Sequence, residues 1–136
     1  MKVQVLYYSK TGNTKKVANV IALELGVEAK DVKREALDKD CLVFLGSGLY
    51  ANKLGKEMIE FINNNDFNGV NVALFGTSMK GGGKEVNEME KILRSKGATI
   101  KGKFYSFGKF LIMKRGHPDE SELAKAREFA RETAKE

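Results

Sequence analysis

The sequence predicts an α/β domain built on a doubly wound, five-stranded parallel sheet in the order 2-1-3-4-5, with helices on both faces. Three observations carry this expectation. Apolar runs alternate with segments whose apolar residues recur every three to four positions, a β-α-β rhythm kept along the whole chain. Several of those runs are continuous rather than alternating, the pattern of strands covered on both faces. Loops rich in glycine and small polar residues follow the first, third and fourth runs, and in such a sheet these loops lie together at the carboxyl ends of the strands, beside the switch point between strands 1 and 3.

The elements follow in order. Lys2 to Tyr8 reads as a buried strand, and Asn13 to Leu25 as a helix with Val17, Ile21 and Leu25 on one face, ended by Gly26. Val27 to Val32 is short and highly charged, which suits a sheet edge. Cys41 to Leu45 is the third strand; a loop, Gly46 to Asn52, leads to a helix from Leu54 to Asn63 with Met58, Ile59, Phe61 and Ile62 on its apolar side. The polar run Asn63-Asn64-Asn65-Asp66 stops it. Val70 to Phe75 is the fourth strand, followed by the glycine-rich loop Gly76 to Gly83. The helix Lys84 to Lys96 buries Val86, Met89, Ile92 and Leu93 and is capped by Gly97. Thr99 to Phe107 alternates Lys101, Lys103 and Tyr105 with Ile100, Gly102 and Phe104, as expected at the other edge. After the loop Gly108 to His117, Pro118 pre-sets the first turn of a last helix. Its start carries Asp119, Glu120 and Glu122, and its buried stripe is Leu123, Ala126, Phe129 and Ala130.

With 136 residues the chain has the length of a single domain, 1–136, with a real core. No apolar run approaches the roughly 18 residues of a membrane span, so no integral membrane segment is expected. The amino terminus runs straight into a strand, which leaves no room for a signal peptide and points to the cytoplasm. A lone Cys41 rules out a disulfide framework and any cysteine-built metal or iron–sulfur site; it opens an apolar strand as a buried, inert thiol, with a redox role as the alternative. The net charge of +6 is unevenly spread, because Leu74 to His117 holds ten Lys/Arg against three acids. Such a half attracts an acidic protein, an anionic small molecule or nucleic acid, or is simply a solvated face.

The chemistry centres on Ser9-Lys10-Thr11-Gly12-Asn13-Thr14. A strand ending in a hydroxyl-rich turn, with a helix starting directly after it, aims backbone N–H groups and the positive end of a helix dipole at one spot. Ser9, Thr11 and Thr14 add hydroxyl donors, and Gly12 lets the backbone approach closely. The segment is thus an anion cradle that needs few charged side chains, or a helix start capped by Asn13 or Thr14 with no ligand. Rival readings fail on placement. Gly81-Gly82-Gly83-Lys84 has Glu85 where a phosphate-binding P-loop needs Ser or Thr, strands 1 and 3 end without a phospho-acceptor Asp, and no G-x-G-x-x-G follows strand 1.

Ser9 to Thr14 matches the [ST]-x-T-G-x-T fingerprint of the flavodoxin superfamily, and the chain resembles a short-chain flavodoxin-like protein over essentially its whole length. The resemblance implies that Ser9, Lys10, Thr11, Gly12, Asn13 and Thr14 bind the phosphate of FMN. It implies that Ser47, Gly48, Leu49 and Tyr50 line one side of the flavin, and that Gly76, Thr77, Ser78 and Met79 line the other. Tyr50 is the stacking candidate or else an aromatic packed on the next helix; Gly48 permits the peptide rotation seen in the family or is a plain turn glycine. There are departures: Gly76 to Gly83 has no aromatic, the flavin end is basic rather than acidic, and the insertion of long-chain members is missing. His117 reads as a cap or loop residue rather than a proton donor. The implied function is an FMN-binding electron carrier with no catalytic residues of its own. Its expected partner is a redox protein with an acidic docking surface, or an anionic small molecule, and not nucleic acid. The alternative is an FMN-dependent oxidoreductase like the quinone- or protoporphyrinogen-oxidising relatives.

Overall fold

The computed structural model describes residues 2–50, 53–77, 83–105 and 120–135. Its first apolar run is β1 (Val3–Tyr8), and the first amphipathic segment is α1 (Asn13–Leu25). The chain continues through β2 (Ala29–Asp31), β3 (Leu42–Ser47), and two short strands, β4 (Leu49–Tyr50) and β5 (Lys53–Leu54). It then forms α2 (Lys56–Asn64), β6 (Asn71–Gly76), α3 (Lys84–Ser95), β7 (Thr99–Tyr105) and α4 (Glu120–Ala134). The main sheet has the order β2-β1-β3-β6-β7, and every neighbouring pair is parallel. Counting its members alone, this is the predicted 2-1-3-4-5.

Side chains of successive strand residues point to opposite faces, and the core divides accordingly. Leu6, Tyr8, Val43, Leu45, Val72 and Leu74 face Met58, Phe61 and Ile62 of α2 and Val86, Met89 and Leu93 of α3. Val5, Tyr7, Leu42, Phe44, Ala73 and Phe75 face Val17, Ala18, Ile21 and Ala22 of α1 and Ala126 and Ala130 of α4. Phe129 of α4 closes this second layer, stacked on Phe104 at 5.5 Å between centroids and edge-on to Phe44 at 5.7 Å. Strand β7 alternates exposed and half-buried residues as an edge must, and its register against β6 slips between Val72 and Ala73. Cys41 is a buried free thiol, and burial pushes its pKa up. Among the described residues no helix is long and apolar enough to cross a membrane.

Several boundaries differ from the sequence reading. β3 runs on to Ser47, because β1 still offers Tyr7 and Tyr8 as partners for Gly46 and Ser47. The segment expected to be loop and helix start is an antiparallel ribbon pairing Leu49 with Leu54 and Tyr50 with Lys53, so α2 starts only after Gly55, which is extended (φ −60°, ψ 138°). β2 is shortened to three residues. The predicted ends at Phe107 and Pro118, the loop between them, and His117 lie outside the described residues.

Candidate functional site

β1 delivers the cradle to the carboxyl edge of the sheet, next to the ends of β3 and β6. Gly12 takes the left-handed conformation (φ 99°) there and is the N-cap of α1, which has no side-chain cap; the capped start by Asn13 or Thr14 is not what forms. A side chain at Gly12 would be strained in this geometry. The Gly12 amide donates to Ser9 Oγ at 3.0 Å, which holds the turn shut, while Lys10 and Thr11 are exposed and Asn13 is half-buried.

Thr14 points inward and is 1% exposed. Its Oγ1 lies 2.6 Å from Oγ1 of the buried Thr77, so the first turn of α1 is tied to the loop after β6. From the ribbon after β3 comes Tyr50, whose oxygen accepts the Lys10 amide at 3.0 Å. Its ring lies edge-on to Tyr8 at 5.7 Å, and the Lys10 ammonium sits 5.6 Å from the ring centroid. Burial pushes the Tyr50 phenol above the usual tyrosine range, against the opposing pull of the Lys10 amide and of the nearby Thr14 side chain and Gly48 backbone. Burial likewise raises Tyr8, helped by the neighbouring Glu57 carboxylate.

The structure therefore brings Lys10, Gly48, Tyr50, Thr14 and Thr77 to one place. Ser47 is fully buried and its hydroxyl donates to the Gly48 carbonyl at 3.0 Å, within its own turn. Leu49 is half-buried in the ribbon, and Gly76 ends β6 opposite Tyr105 of β7. Ser78 and Met79 lie outside the described residues.

Sequence reasoning did not single out Tyr8 as a wall of this site, although the last residue of a central strand at the switch point is a signal for it. Nor did it find Glu85, which is fully buried in the first turn of α3; a Cβ on Gly76 would collide with its carboxylate. The basic segment is tempered where it is described. Glu90 accepts from Lys103 and Arg94, each at 2.8 Å, and these two cations hold its carboxyl below the usual range.

Fold and site together define a doubly wound α/β domain with a glycine turn opening a helix at its switch point, the class in which ligands bind outside the carboxyl ends of the strands. Residues 4–114 match the flavodoxin domain family. The chain is 29% identical over 149 aligned positions to an uncharacterized protein of Methanocaldococcus jannaschii, covering 99% of each. Its structure matches a flavodoxin from the domain Archaea with a TM-score of 0.79 and 21% identity, over 99% of this chain and 97% of the other. It also matches the two-electron reduced flavodoxin of Megasphaera elsdenii with a TM-score of 0.70 and 26% identity, over 95% and 98%. This chain belongs to the flavodoxin family.

Proposed function

We propose that this protein binds FMN and carries electrons between redox partners. The observation that supports it is the convergence of three loops on one point. The ribbon after β3 reaches the cradle through Tyr50 and Lys10 at 3.0 Å, and the loop after β6 reaches it through Thr77 and Thr14 at 2.6 Å. A phosphorylated, planar ligand needs that arrangement, with donors at one end and walls on two sides. Ser9 to Thr14 would hold the phosphate, with Ser47 to Tyr50 and Gly76 to Met79 as the walls.

The flavin supplies the redox chemistry when bound, and the chain's task is to bind it, orient it and set its surroundings. The cradle does this with neutral donors. Gly12 opens the turn, Ser9 fixes it, and the uncapped end of α1 favours negative charge. The partner in this reading is a protein with an acidic docking surface. In the enzyme alternative, of the quinone- or protoporphyrinogen-oxidising type, it is an anionic substrate, but the pairing of Lys103 of β7 and Arg94 of α3 with Glu90 leaves less free positive charge there for one.

Titration of the flavin-free protein with FMN and with riboflavin tests the binding. Thr11→Ala should weaken FMN binding by about 1–3 kcal/mol, the loss of a charge-assisted phosphate bond, and leave riboflavin unchanged. Equal losses for both flavins, or no flavin uptake at all, would refute it. Assays with quinones and porphyrinogens, set beside reduction by a partner reductase, separate carrier from enzyme.

A further inference from the structure

We infer that the Tyr50 hydroxyl is a built-in competitor for the phosphate cradle, occupying its Lys10 amide until an incoming phosphate displaces it. The inference rests on the FMN reading above and adds to it a side chain of the protein that competes with the ligand for the helix end.

The donor comes first. The Tyr50 oxygen accepts the Lys10 amide at 3.0 Å. Lys10 and Thr14 flank Gly12, the N-cap of α1. The phenol oxygen therefore takes a donor that an anionic oxygen at this helix end would use, and both cannot hold the Lys10 amide in the same way.

The slot comes second. A Cβ on Gly48 would stand 2.8 Å from the Tyr50 hydroxyl oxygen and 3.0 Å from the ring carbon that bears it. One on Gly55 would stand 3.3 Å from Tyr50 Cδ2 and 3.0 Å from the Tyr8 ring. Two bare glycines thus admit the phenol, and the edge of Tyr8 and the Lys10 ammonium complete its seat. Any side chain at Gly48 would press on the hydroxyl.

Release is the third point. Tyr50 sits on a ribbon of two paired residues per strand, and two-stranded ribbons are marginal by themselves. Moving it out breaks few backbone bonds. The Lys10 amide is at an exposed position, so water can replace the lost phenol.

Tyr50→Phe keeps the ring and its seat and deletes the competitor. Inorganic phosphate titrated into the flavin-free protein by calorimetry should bind the Phe variant roughly 2- to 10-fold more tightly than wild type, the reciprocal of one net hydrogen bond. FMN should tighten in the same direction. In wild type, the Tyr50 ring resonance should move as phosphate saturates. Unchanged or weaker phosphate and FMN binding by Tyr50→Phe, at an unchanged thermal midpoint, overturns the competition. If wild type still takes up FMN in that case, the FMN reading stands without it. If wild type takes up no FMN while the Phe variant binds phosphate more tightly, the competition holds at an anion site and the FMN reading falls. Where inorganic phosphate binds neither form measurably, the FMN comparison decides.

Discussion

The Thr14–Thr77 bond offers the sharpest test of how the site is held together. It joins residues 63 positions apart through two buried hydroxyls at 2.6 Å. Thr14→Val removes one hydroxyl at nearly constant volume and strands the other in the interior, which costs about 1–3 kcal/mol. At about 2.1 cal/mol/K of unfolding entropy per residue, the whole chain loses roughly 3–10 °C in thermal midpoint for such a change. The double variant with Thr77→Val strands no partner of this bond, so its loss should fall short of the sum of the singles by about 1 kcal/mol. Thermal and urea unfolding of the four proteins measures this directly. Single effects that add to within about 0.3 kcal/mol would mean that the two hydroxyls share no bond, and the tie between α1 and the loop after β6 would have to be abandoned.

Other outcomes follow from packing and charge. Phe129→Ala empties the space between Phe104 and Phe44 and should destabilise by about 2–4 kcal/mol, read as a lower urea midpoint with an unchanged slope. Gly12→Ala must adopt φ near 99° and should cost about 1–2 kcal/mol in the same assay; no loss would show that the turn relaxes. Lys103 and Arg94 hold the Glu90 carboxyl below its ordinary value, so this cluster's stabilisation is complete above the unfolded value of about 4.3 and is lost as pH falls through the lower folded value. Because both cations are largely exposed, the effect should be at most about 1 kcal/mol, absent in Glu90→Gln and reduced by salt in acid unfolding curves.

The sequence by itself determined the sheet order, the alternation of the last edge strand, the bounds of α1 and the glycine turn that opens it. These rest on local rules: a period of two or of 3.6, a glycine at a turn, a charged run at an edge. Such signals act within a few residues and survive without knowledge of partners. Only the tertiary structure decided how far β3 extends, because a parallel strand stops where its neighbour stops, and β1 still had Tyr7 and Tyr8 to offer. The ribbon of Leu49–Tyr50 and Lys53–Leu54 was hidden for the same reason, since two-residue strands carry no periodicity to read. The site's internal bonds depend on distant segments meeting. Tyr50 finds the Lys10 amide 40 positions away, Thr14 finds Thr77, and Glu85 is buried although its residue type favours water. Hydrogen bonds of this kind are set by where whole strands and helices dock, and no spacing along the chain encodes that distance.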